Sequence, residues 1–124
     1  MLEAEKIIKE LKAHLTPMGE FRARAMFGGY GLYIDGVIFG ILAYNKLFLK
    51  TDDNNRPDFE KAKSQPFAYQ KSTGKMISLS YWECPALVKK DPIKLRQWIT
   101  RSLAASRNSK KTKAKRERLA KVIW

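Results

Sequence analysis

One histidine, one cysteine and an adjacent acidic pair are the groups in this 124-residue chain whose types invite a chemical reading. His14 could act as a general base, Cys84 as a nucleophile, and Asp52-Asp53 as ligands for a hard cation. Each has a structural alternative that its neighbours favour. His14 projects beside Ile7 and Leu11 on a helical wheel, the place of a boundary or packing histidine. Cys84 would need a cationic neighbour or a histidine to lower its pKa, and the sequence does not place one beside the thiol, so it is read as a small packing residue. The dipeptide Cys84-Pro85 is shared with short haem-responsive motifs, but the sequence names no second axial ligand. Asp52 and Asp53 are followed by Asn54, Asn55 and Pro57, which is turn and helix-cap composition. The glycine and terminal glutamate of a calcium loop are missing. No catalytic residue, metal ligand or cofactor is assigned from the sequence, and the chain reads as non-enzymatic.

Gly28, Gly29 and Gly31 raise the possibility of a phosphate cradle, yet such a cradle opens a helix, whereas here a strand follows. A bend or bulge between paired strands explains these glycines better. Just beyond them, Asp35-Gly36 lies between Ile34 and Val37 and is the dipeptide of a type I′ hairpin turn, in which both central residues take positive φ.

The remaining chemical feature is charge. Lys and Arg number 25 against 12 Asp and Glu, a net of +13. Residues 107–124 carry eight cations and one acid, a net of +7, and residues 1–106 hold 17 against 11, a net of +6. Lys110, Lys111, Lys113, Lys115, Arg116, Arg118 and Lys121 form a cluster suited to neutralising phosphates without regard to base sequence. The competing reading is a solvated, mobile tail that aids solubility. Leu119, Val122 and Ile123 recur at i, i+3 and i+4 with Trp124 behind them, so the end of the chain could form a short basic amphipathic helix.

These groups need elements to position them. A helix over 2–15 places Ala4, Ile7, Ile8, Leu11 and Leu15 on one arc. Strands are predicted at about 21–26, 30–34, 37–43 and 47–51, the last two joined by a polar corner at Tyr44-Asn45-Lys46. A short helix through Phe59 and Ala62 follows. Strands at about 66–71 and 76–82 then flank a turn at Ser72-Thr73-Gly74-Lys75. Asp91-Pro92 supplies an N-cap and an N1 proline, and Leu95, Trp98, Ile99 and Leu103 mark the buried stripe of a helix to about Ser106. Trp82, Trp98, Tyr30, Tyr33, Tyr69 and Tyr81 raise the question of bases stacked on aromatics, but most of them alternate along strands or sit on that stripe and the RNP-type aromatic pattern on paired strands is missing, so they are expected in a core. Tyr81 and Trp82 face opposite sides of one strand.

The resulting expectation is an α+β domain over 1–106, an antiparallel sheet of about five to six strands with helices on one face, followed by a basic tail over 107–124. At 44% apolar, the chain suffices for one core. Its apolar runs are short and glycine-broken, so no membrane span is expected. A single cysteine and a mixed-charge N-terminus fit a reducing, cytoplasmic setting.

The segment Met26-Phe-Gly-Gly-Tyr-Gly-Leu-Tyr33 resembles the signature of the N-terminal domain of the TfoX/Sxy competence-regulator family. Leu47-Phe-Leu-Lys-Thr-Asp-Asp53, Gln65-Pro-Phe-Ala-Tyr69 and Ile77-Ser-Leu-Ser-Tyr-Trp-Glu-Cys-Pro85 continue that resemblance in order, over roughly residues 15–106. The resemblance implies a two-layer, secretion-chaperone-like domain of regulatory character with no catalytic residues. It leaves the molecular partner open; similarity to dimeric two-layer architectures implies a homodimer, and the basic tail is what points to nucleic acid, with a protein partner as the alternative. Regulators resembling this domain continue into a second helical domain, whereas 18 residues follow Ser106 here.

Overall fold

The computed structural model describes residues 3–26, 28–70, 72–74 and 76–123, with side chains described outside 69–70, 76–79 and 110–123. Helix α1 (Glu3–Leu15) leads through a 3-10 turn (Thr16–Met18) into strands β1 (Phe21–Met26), β2 (Gly29–Ile34), β3 (Val37–Ala43) and β4 (Lys46–Lys50). Helix α2 (Arg56–Lys61) connects to β5 (Pro66–Gln70) and β6 (Met76–Glu83), followed by α3 (Ala86–Lys89) and α4 (Pro92–Ile123). The six strands form one sheet in the order β1-β2-β3-β4-β6-β5, antiparallel at every pairing. The expected α+β class, strand count and hairpin order are therefore those of the molecule.

Turn chemistry fixes the meander. Asp35 and Gly36 have φ of +48° and +80°, both positive as a type I′ turn requires, and they close the register Ile34↔Val37. The Asp35 carboxylate accepts the Glu20 backbone N–H at 2.8 Å, and the Asp35 N–H donates to the Glu20 carbonyl at 2.9 Å, so the turn also holds the start of β1. The polar corner expected at residues 44–46 is a second tight turn: Tyr44 and Asn45 have φ of +53° and +59°, and Lys46 already belongs to β4.

The core lies between one side of the sheet and the helices. Leu32, Ile34, Phe39, Leu42, Leu47 and Leu49 come from the strands, and Leu11, Leu15, Phe59, Val88, Leu95, Ile99 and Leu103 from the helices above them. A bulge on β3 pairs Leu32 with Gly40 but Tyr33 with Ile38, so Phe39 is the extra residue and buries its ring completely. Gly40 is needed beside it for close approach, because a Cβ there would lie 2.5 Å from the Phe48 carbonyl oxygen.

Helix α4 packs across β3 and β4 and ties the helical layer together. Asp91 caps it by accepting the N–H groups of Ile93 and Lys94 at 3.0 and 3.3 Å. The Arg96 guanidinium donates to the His14 carbonyl at the end of α1 (3.1 Å), and Arg101 pairs with Asp58 of α2 and reaches the Asn54 carbonyl at 3.1 Å. Ser102, Ala105 and Ser106 are buried small residues that let helix and sheet come close, and the Ser106 hydroxyl donates to the Ile38 carbonyl at 2.5 Å.

One expectation is corrected here. The helix does not stop near Ser106 but continues as backbone helix to Ile123, and among the described residues its buried positions run past Leu103 to Ala105 and Ser106. No glycine or proline interrupts residues 93–124, and Ala, Lys, Arg, Glu and Leu are strong helix formers, so propensity outweighs charge repulsion. Glu117 stands four residues before Lys121, a spacing that supports a helix. Four-residue α3 carries no periodicity long enough to have been foreseen. Trp124, Lys75 and the side chains of Leu119, Val122 and Ile123 lie outside the described residues.

Replacing Gly36 by Val should destabilise the domain by about 1–3 kcal/mol, because a β-branched residue is forced to positive φ although a Cβ there meets no atom within 4 Å. Gly36→Asn, which tolerates that conformation, should cost clearly less; equal thermal midpoints for the two variants would contradict this account.

Candidate functional site: the helix-free face of the sheet

Strand alternation gives the sheet a second side. Phe21, Ala23, Leu32, Leu49 and Trp82 point toward the helices, so Arg22, Arg24, Tyr33, Phe48, Lys50 and Tyr81 point away from them. The cross-strand register sets these groups in rows. Arg24 pairs with Gly31, which pairs with Ile41, Phe48 and Glu83 in turn. Arg22 opposes Tyr33, and on the far side Lys50 opposes Tyr81. Met26 and Lys46 close the row nearest the Tyr44-Asn45 turn.

The middle of this face is apolar and dense. Ile41 and Phe48 are buried although no helix covers them. Phe67 stands edge-on to Phe48 with centroids 5.0 Å apart, and the Tyr44 ring, 76% exposed, stacks on Phe67 at 6.4 Å. A Cβ on Gly31 would come within 2.9 Å of the Met26 sulfur and 3.1 Å of the Tyr33 ring, so both side chains lie over that glycine. The Lys50 ammonium sits 5.1 Å from the Tyr81 ring centroid, a cation–π contact. Burial lowers the Lys50 pKa, partly opposed by the nearby Asp52 carboxylate. Burial also raises the Tyr81 pKa, with the neighbouring Tyr33 hydroxyl adding to it.

At the β1 edge a concavity of about 740 Å³ is lined by Arg22, Arg24, Tyr33, Glu20, Asp35 and Gly36. Its volume falls within the range of small-ligand sites, roughly 300–1,000 Å³.

The residues that first invited catalysis are held by structure. Burial pushes the Cys84 thiol up to about 12; Lys89 lowers it slightly and Glu83 raises it, so the group is a neutral packing residue at physiological pH. His14 is half-buried at the end of α1. Asp52 accepts the N–H groups of Asn54 and Asn55, while the buried Asn55 side chain accepts the Asp52 N–H at 2.8 Å and donates to the Lys50 carbonyl at 3.0 Å. The acidic pair is thus turn chemistry, as its sequence neighbours indicated. Burial would raise the Asp52 pKa, but the hydrogen bonds from Asn54, Asn108 and Asn55 outweigh it and hold the carboxyl below its usual range. Among the described residues no group of three or more His, Cys, Asp or Glu is placed to hold a metal ion.

Of the basic cluster, Lys110, Lys111, Lys113, Lys115, Arg116, Arg118 and Lys121 all fall on the helical backbone of α4, but their side chains lie outside the described residues. Sequence reading weighed base stacking on the aromatics, assigned them to a core and so missed the free face; the Tyr69 side chain lies outside the described residues. Trp82, Trp98 and Tyr30 do join the core, whereas Tyr33, Tyr81 and Phe67 belong to the opposite side. The alternation of Arg22 and Arg24 with Phe21 and Ala23 was the signal that could have located it.

Fold and surface define a small α+β domain that keeps its helices on one side of the sheet and leaves cations and aromatics on the other. The chain matches the TfoX N-terminal domain over residues 13–106 and belongs to that family, the competence-regulator family its Met26–Tyr33 segment resembles. It is similar to Protein Sxy of Escherichia coli (strain K12), 26% identical over 114 residues, which are 92% of this chain and 54% of the relative. It is also similar to DNA transformation protein TfoX1 of Aliivibrio fischeri (strain ATCC 700601 / ES114), 25% identical over 100 residues, or 81% and 47% of the two chains. The chain spans about half the length of these curated relatives. Among the described residues, no helix is long and apolar enough to cross a membrane.

The Cys84 thiol should react with a disulfide reagent at pH 8 about a thousandfold more slowly in the native protein than after denaturation, given a pKa raised from 9.0 to about 12. Stability linked to this group is present below the unfolded pKa and lost as pH rises above it toward the folded value. Native and denatured rates within a factor of ten would show that the thiol is not shielded.

Proposed function

We propose that this chain is a non-enzymatic regulatory or adaptor domain of the cytoplasm, a transcription or competence co-regulator that contacts nucleic acid weakly and without sequence preference. The contact is made by the basic segment of residues 107–124, through Lys110, Lys111, Lys113, Lys115, Arg116, Arg118 and Lys121, attached to the domain of residues 1–106. The observation that carries this reading is the concentration of eight cations against one acid on an uninterrupted helical backbone. In a helix, Lys111, Lys115 and Arg118 recur at i, i+4 and i+7, a spacing that places cations along one side. A relative named as a DNA transformation protein is consistent with it.

A second reading is favoured by the open sheet, whose outer strands β1 and β5 each have one paired neighbour. Unpaired strand edges are templates for association, so the domain would instead be a self-associating protein-binding module, a symmetric homodimer with no nucleic-acid role.

If about four of the cations engage duplex phosphates, log K should fall against log salt with a slope of roughly −3.5, about tenfold in affinity for each doubling of salt. Converting Lys110, Lys111, Lys113 and Lys115 to Gln in the full chain should remove most of that slope and leave the melting temperature unchanged. An unaltered slope, or no duplex binding at low salt, would defeat the proposal. Sedimentation at tens of micromolar separates the second reading, since a standard interface gives dimer there and a lone monomer excludes it.

A further inference from the structure

The helix-free face carries four cations, Arg22, Arg24, Lys46 and Lys50, and among its described strand residues one acid, Glu83. Glu20, just before β1, pairs with Arg22 at 2.5 Å, and Asp52 lies near the Lys50 ammonium, so Arg24 and Lys46 are the cations of this face that no salt bridge among the described residues engages. Arg24 on edge strand β1 and Lys46 on β4 are exposed in neighbouring rows toward the Tyr44-Asn45 turn, with Tyr44 and Phe67 on the Lys46 side and Tyr33 and Tyr81 in the row beyond Arg24.

We propose that this face binds single-stranded nucleic acid, with bases stacked on Tyr44, Phe67 and Tyr33 and phosphates neutralised by Arg24, Lys46, Lys50 and Arg22. Four observations select this occupant. The charge is complementary to a polyanion. A second copy laid face to face about a two-fold axis would set the same four cations against one another, which disfavours the isologous pairing of this surface. Aromatic rings on a sheet offer stacking platforms to unpaired bases, whereas a duplex keeps its bases stacked inside and presents phosphates and grooves. The helix-free apolar centre around Ile41 and Phe48 gives those rings a rigid floor, with Phe67 fixed edge-on at 5.0 Å. The site is separate from the basic segment of α4 and does not rest on that proposal.

The test uses the full-length chain and a fluorescent 12-nucleotide oligothymidylate, with a mixed-sequence duplex of equal length and poly-L-glutamate as comparisons. Engaging four phosphates of a single strand predicts a salt slope of roughly −2.8 from this face, and Arg24→Glu with Lys46→Glu should halve that contribution and weaken oligothymidylate about tenfold or more. Tyr44→Asn keeps a residue that tolerates φ of +53° while removing the ring, and should weaken single-strand binding about tenfold with the salt slope unchanged. Neither change should alter duplex affinity, whereas neutralising Lys110 to Lys115 should lower single-strand and duplex binding alike; the two proposals therefore fail separately. Thermal melts confirm that the variants are folded, as expected for exposed positions. The inference is overturned if the folded double charge variant binds oligothymidylate as the parent does. It is equally overturned if poly-L-glutamate outcompetes the oligonucleotide for this face, or if the charge variant converts a parent dimer into monomer.

Discussion

Burial of α4 against β3 and β4 is the constraint on which the rest of the molecule depends. Leu95, Ile99 and Leu103 supply the apolar contact, and Ser102, Ala105 and Ser106 supply the close approach. The same helix reaches α1 through Arg96 and α2 through Arg101, so the three helices are organised around one axis rather than docked independently on the sheet. With every helix drawn to that axis, the opposite side of a six-stranded sheet is left to solvent. Its apolar residues must then be shielded by one another, which is what Phe48, Phe67, Tyr44 and Met26 do.

What was legible in the sequence is what local chemistry decides. Asp35-Gly36 announced its turn because few residues accept positive φ at two successive positions, and Asp91-Pro92 announced the start of α4 because cap and N1 demands are strict. The sidedness of β3 was not legible. Val37-Ile38-Phe39-Gly40-Ile41-Leu42-Ala43 is apolar throughout, so alternation carries no information, and the bulge at Phe39 reverses the phase midway. Phe39 and Leu42 face the core while Ile38 and Ile41 do not share that face, an arrangement that only the pairing with β2 and β4 specifies. The helical end of α4 escaped for a different reason: a run of like charges can be read as repulsion, and the helix-forming tendency of those same residues was the stronger term.

The basic segment of α4 stood in the open in the sequence, a matter of counting charges, but the candidate site on the sheet did not. The face was hidden because its cations, Arg22, Arg24, Lys46 and Lys50, are spread over residues 22–50 and become neighbours only across strand pairings. Composition records how many charges a chain has, and the sheet decides which of them share a surface.

The end of β4 shows how the two sides of the sheet are coupled. Asn55, almost wholly buried, holds the Lys50 carbonyl and the Asp52 N–H, and thereby fixes where β4 stops and α2 begins. On the helical side that turn presents the Asn54 carbonyl to Arg101 and the Asp52 carboxylate to Asn108, near the point where α4 leaves the domain. On the other side the same strand end aims the Lys50 ammonium over the Tyr81 ring, and Asp52 helps keep that ammonium charged against the desolvation that lowers its pKa. One buried amide therefore positions a cation of the free face and steadies the base of the basic helix. A change at Asn55 would act on both surfaces through strand geometry, even though its side chain lies on neither.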